Sequence, residues 1–153
     1  MKKLMFCLVM LPVVAMMSCS KDDDKGVNYA SEIVGTWRHL YSDGIVVTNN
    51  ETATAIIKDA FMKIGAEGPR NITFTADKKY LEESVESGTY SVQGNKLTIT
   101  RTGGERHTME LQTEKPILHI IEDVKGQFQS SDFGYENLVI TTLKIDSSYS
   151  KVQ

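Results

Sequence analysis

The sequence predicts an all-β fold: an antiparallel up-and-down β-barrel of about eight strands, with one amphipathic helix between the first two strands. Three observations predict it. From residue 71 onward the chain is a series of short alternating apolar and polar segments, separated at close, regular spacing by turns rich in Gly, Asn and Asp. Only one stretch, near 49–64, has helical periodicity. The connections are short enough to join neighbouring strands as hairpins, and a meander of that length closes well because closure removes both sheet edges.

Each element has its own warrant. Ile33 to Tyr41 (IVGTWRHLY) reads as the first strand, closed by a turn at Ser42-Asp43-Gly44. Thr48-Asn49-Asn50-Glu51 has the pattern of a capping box, in which the Thr48 hydroxyl accepts an early backbone N–H and Glu51 reaches back. Ala53, Ile56, Ile57, Ala60, Phe61 and Ile64 then make one helical face, which Gly65 and Gly68-Pro69 bring to an end. Asn71 to Thr75 places Ile72 and Phe74 on one side, and Ala76-Asp77-Lys78 turns the chain. Tyr80 to Val85 is a weaker strand, interrupted by Glu82 and Glu83. Gly88 to Val92 and Lys96 to Arg101 flank a hairpin turn at Gln93-Gly94-Asn95. After Thr102-Gly103-Gly104 come His107 to Gln112, Ile117 to Val124 and Leu138 to Ile145. Glu83, Lys96, Arg106 and Glu110 fall on outward faces, where a membrane-spanning barrel needs an apolar band.

Composition fits one globular domain: 153 residues, 41% hydrophobic and 24% charged. Seventeen basic against 20 acidic side chains leave a net charge of −3, which speaks against a nucleic-acid partner.

The N-terminus reads as an address. Lys2 and Lys3 precede an uncharged apolar run at 4–17, shorter than the ~20 residues a spanning helix needs. Met17-Ser18-Cys19 resembles the lipobox of bacterial lipoproteins. That resemblance implies a signal peptide at 1–18 and a diacylglycerol on Cys19, anchoring the mature chain to a membrane. Ser20-Lys21-Asp22-Asp23-Asp24 resembles the export signal of Bacteroidetes-type surface lipoproteins, which implies an outer-membrane lipoprotein exposed at the cell surface. As bare chemistry the acidic run is a solvated tether, and a periplasmic orientation stays open. The expected layout is thus a signal peptide at 1–18, a lipidated acidic tether at 19–31 and a barrel domain at 32–153. Cys7 leaves with the signal peptide, so no disulfide is expected.

Gly35-Thr36-Trp37 resembles the GxW signature of lipocalins and of lipocalin-like domains in bacterial surface lipoproteins. Ile72-Thr73-Phe74, Ser87-Gly88-Thr89-Tyr90 and Gly94 to Ile99 look like the middle hairpins of the same group. The resemblance covers most of 33–145. It implies a lipocalin-like barrel, with Lys144 as the basic residue near the last strand that stacks on the Trp. The helix departs from that pattern: it follows the first strand, an arrangement closer to fatty-acid-binding proteins. Physically, Trp37 suits a plug at one barrel end, its indole N–H finding a carbonyl.

Chemistry is sparse. His39, His107 and His119 share no short metal-ligand spacing, so no metal and no cofactor are expected. Glu82-Glu83 and Glu122-Asp123 are strand neighbours and face opposite sides. No GxSxG, P-loop or Rossmann glycine pattern occurs, and the expectation is a protein that is not an enzyme. The expected ligand is a small apolar or amphipathic molecule inside the barrel, lined by the inward side chains Tyr90, Leu97, Ile99 and Leu111. The alternative is a filled barrel acting as an interaction module, docking to envelope proteins or glycans through its loops. The helix reads as a fixed cap more than a mobile lid. Phe128, Phe133 and Tyr135, in the polar loop 127–135, suit a recognition rim and a hydrophobic plug equally.

Overall fold

The computed structural model describes residues 27–65, 68–135 and 137–153. The expected signal peptide at 1–18, the expected lipidation site Cys19 and the acidic run at 20–25 lie outside the described residues. Eight strands form a closed antiparallel barrel in sequence order, the last pairing with the first. They are β1 (Gly35–Thr48), β2 (Asn71–Phe74), β3 (Lys79–Glu82), β4 (Val85–Gln93), β5 (Lys96–Arg101), β6 (Arg106–Glu114), β7 (Ile117–Asp123) and β8 (Ile140–Lys151). A one-turn helix, α1 (Tyr29–Glu32), precedes β1, and α2 (Glu51–Gly65) lies between β1 and β2.

The predicted meander and helix placement hold, while several boundaries move. β1 does not stop at Ser42-Asp43-Gly44 but runs through it to Thr48, paired with β8 throughout. Gly44 serves helix packing here, since a Cβ at that position would sit 3.2 Å from the Lys58 carbonyl and 3.3 Å from Phe61 Cβ. A bulge between His39 and Tyr41 resets the alternation, so that Trp37 and His39 before it, and Ser42 and Val46 after it, lie on the inner face. β8 likewise runs beyond Ile145 to Lys151.

The predicted strand at 80–85 is instead the end of β3, a two-residue turn at Glu83-Ser84 and the start of β4. Both turn residues have positive φ, 48° and 69°. That conformation usually calls on Gly or Asn; here the Glu83 carboxylate accepts hydrogen bonds from the Asn71 N–H (2.9 Å) and Nδ2 (3.2 Å). Those bonds hold the Glu83 carboxyl below its usual range.

The helix cap shifts by two residues. Asn50 Oδ1 accepts the Ala53 N–H at 3.0 Å, while Thr48 Oγ1 accepts the Asn50 N–H at 3.0 Å. The buried stripe is narrower than predicted: Ala53, Ile57 and Phe61 are inside, and Ile56 and Ala60 face solvent. A helix lying on the narrow β1–β8 ribbon needs only one row of contacts at i, i+4 and i+8.

Two apolar clusters result. One fills the barrel and includes Trp37, Phe74, Tyr90, Leu97, Leu111 and Leu118. The other lies under α2, where Ala53, Ile57 and Phe61 meet Val124, Leu138 and Leu143. Phe128, Phe133 and Tyr135 pack against this second cluster, so the aromatic loop folds back as a plug. Phe61 sits edge-to-face on Phe128, with centroids 5.3 Å apart.

Candidate ligand-binding cleft

The four predicted lining residues do come together inside the barrel. Tyr90 pairs across the sheet with Ile99, and Leu97 and Leu111 are completely buried. They are occupied by packing. Phe74 stands edge-on to Tyr90 with centroids 5.0 Å apart, and the Tyr90 hydroxyl donates to the Thr75 carbonyl at 2.7 Å. None of the four lines any of the three clefts described below.

Higher in the barrel the inner face turns polar. Ser42 Oγ lies 2.9 Å from His39 Nε2 and 3.0 Å from Ser147 Oγ. Burial lowers the His39 pKa and so favours the neutral ring. On β3, the Tyr80 hydroxyl donates to Glu82 Oε1 at 2.9 Å, and Arg101 grips both Glu82 oxygens at 2.8 and 3.1 Å. Burial would raise the Glu82 carboxyl, but the hydrogen bonds from Arg101 and Tyr80 outweigh it and hold the group below its usual range. Burial, reinforced by Glu82, pushes the Tyr80 hydroxyl far up, and burial takes Tyr149 up to about 12. With Glu82 held charged by Arg101 and Tyr80, and both tyrosines protonated at neutral pH, these groups serve as fixed partners rather than proton carriers.

On the outer face His119, Asp146 and Ser148 lie together, but not as a relay. Both Asp146 oxygens (3.1 Å) and Ser148 Oγ (3.2 Å) address the same ring nitrogen, Nδ1. A nucleophilic Ser would have to stand on Nε2, opposite the carboxylate. His119 Nε2 is buried and has no hydrogen-bond partner among the described residues.

Of the three clefts, the most apolar is at the Trp37 end. Trp37 is buried and its Nε1–H donates to the Ile33 carbonyl at 2.7 Å, as expected of a barrel-end plug. The basic residue over its ring is Lys151, whose Nζ is 5.3 Å from the centroid. Lys144, the expected partner, instead reaches toward Glu110 at 4.0 Å, because β8 continues past it and delivers Lys151 opposite Trp37. α1 crosses this end, with Tyr29 packed on the barrel cluster. Between α1, Trp37, Leu118 and the β6–β7 turn lies a cleft of about 330 Å³, near the lower bound of ~300–1,000 Å³ for small-molecule sites. Thr113 faces it from β6, its Oγ1 buried and without a partner among the described residues. Lys115, Lys151 and Glu32 stand at its rim.

Two other clefts are more polar. One of about 350 Å³ lies against Lys96, Glu110 and Lys144, and the other of about 620 Å³ lies beside the loop around Ser130 and Asn137. The Trp37-end site escaped sequence reasoning because α1 lies in the segment read as tether. Its signal is slight: an aromatic, Tyr29, after Asn28 and before Glu32, at the end of an otherwise polar stretch.

A family model described as Lipocalin-like domain matches residues 33–115, more than half the chain and spanning β1 through β6. No curated protein and no solved structure matches the chain.

Proposed function

Because the chain belongs to the lipocalin-like domain family, we propose that it is a lipid-anchored cell-envelope binding protein for a small apolar or amphipathic molecule. The observation that carries this reading is the cleft at the Trp37 end: apolar walls, a volume that suits a small ligand, and a buried hydroxyl without a partner among the described residues. The ligand sits at the end of the barrel, since Tyr90, Leu97, Ile99 and Leu111 fill its centre. Native mass spectrometry of the protein purified from its own host tests this directly. The expected result is a retained molecule of small-ligand mass, released on denaturation; a bare chain would sink the ligand reading.

The anchor is supported by Lys2, Lys3, the apolar run at 4–17 and Ser18-Cys19. With acyl chains contributing ~0.8 kcal/mol per buried CH₂, Cys19→Ala is expected to move the protein from the membrane fraction to the soluble one. Retention of the variant after a high-salt wash would mean the anchor lies elsewhere. The acidic run after Cys19 favours surface exposure over the periplasmic face, and protease shaving of intact cells separates the two.

A second reading has one specific observation behind it. The barrel centre is packed, and β1 and the segment before β8 carry an exposed apolar stripe of Leu40, Tyr41, Ile45, Val47 and Val139. A filled barrel that docks to an envelope protein through that stripe predicts no retained small molecule.

A further inference from the structure

We propose that the cleft at the Trp37 end selects an amphiphile with an anionic head group, holding the apolar part against Trp37 and Leu118 and the head between Lys115 and Lys151. This rests on the ligand-binding reading above and adds the chemical class of the head.

The rim carries two lysines, Lys115 and Lys151, and one acid, Glu32. Both ammonium groups converge on one residue: Lys115 Nζ is 3.0 Å from the Glu32 carboxylate, and Lys151 Nζ donates to the Glu32 carbonyl at 3.4 Å. The Glu32 carboxylate therefore already occupies Lys115, where a ligand's anion would be received, while Lys151 faces only the backbone carbonyl of the same residue. Its hold is weak, for Lys115 is 73% exposed, and an exposed ion pair contributes little. An incoming carboxylate or phosphate exchanges with Glu32 at small cost and meets two positive charges against one negative. Lys151 is also held over the opening by the Trp37 ring, rather than extending into solvent.

The walls complete the match. Ile33, Trp37 and Leu118 offer hydrocarbon, and Thr113 Oγ1 offers a single buried hydroxyl. A buried hydroxyl without a partner is costly, and a polar atom next to the head group would satisfy it. The position is apt as well. Tyr29, in the wall, stands ten residues after Cys19, so a fully extended tether places the cleft within roughly 35 Å of an anchoring membrane.

The chain has one tryptophan, and it lines the cleft, so its fluorescence reports this site alone. The probes are dodecanoate, dodecanol and dodecyltrimethylammonium, titrated below micelle formation at a pH where dodecanoate is ionised. Dodecanoate is expected to bind about tenfold tighter than the cationic probe, with dodecanol between them. Lys115→Gln with Lys151→Gln should erase that order. Glu32→Gln, which removes the competing acid without touching the lysines, should tighten dodecanoate by about two- to fivefold and leave dodecanol unchanged. Equal affinity for all three probes overturns the head-group inference and leaves the ligand reading standing. A preference that survives loss of both lysines, or no gain in Glu32→Gln, also overturns it. No fluorescence change with any probe overturns both.

Discussion

Phe61→Ala is expected to lower stability by ~3–5 kcal/mol, the cost of removing a large aromatic side chain from a packed interior. The side chain is 1% exposed, edge-on to Phe128, and within 6.5 Å, centroid to centroid, of Phe133. It also lies over Gly44, whose missing Cβ lets the helix approach β1 closely. Truncation therefore leaves a void bounded by three separate segments, none of which can collapse inward without dragging backbone. Thermal or urea unfolding monitored by circular dichroism measures the loss. Trp37 belongs to the other cluster, so its fluorescence in the folded variant should stay that of the wild type. A melt identical to wild type would show that α2 is not a fixed cap.

Gly88→Ala is expected to cost about 3 kcal/mol, the upper end for overpacking a well-filled site. A Cβ at Gly88 would overlap the Thr100 carbonyl oxygen and come within 2.9 Å of Arg101 Cα. Every atom in the way is backbone of β5, so no side-chain rotation relieves the clash. The two strands must separate, and Arg101 moves with them, away from the Glu82 carboxylate it grips. Gly103→Ala is the matched control, with open space around the new methyl, and should change stability by less than ~0.5 kcal/mol. Comparable melting curves for the two variants would refute the close approach.

Much of the barrel was legible because its turns are written in Gly and Asn. Gly94-Asn95 closes β4 onto β5 where expected, with Gly94 at φ 60°. Glu83-Ser84 makes an equally tight turn from residues that carry no such mark. Its stability comes from Asn71, twelve residues earlier, and no local pattern reveals that partner. Gly44 misleads in the opposite sense: it looks like punctuation and is a contact surface for α2. The site was harder still to read. Trp37 announces the barrel end, but the cleft beside it is assembled from α1, the end of β6 and the last residue of β8. Lys144 lost its expected place to Lys151 because the strand's length is set by pairing with β1, and the outer part of β8 alternates too weakly to show it.

The seam between β1 and β8 also governs when this protein can become itself. It joins residues about a hundred positions apart, as in the pairing of Gly44 with Ile145, and is the longest-range pairing in the barrel. Contacts of such separation form late, since a long loop must be closed before they contribute. Until Ile140–Lys151 leaves the ribosome, β1 has no partner for its outer half and α2 has only part of its floor. A chain still being synthesised is therefore open along this seam until its last strand is available. The same last strand that shuts the barrel brings Lys151 to Trp37, so topological closure and completion of the cleft are one event.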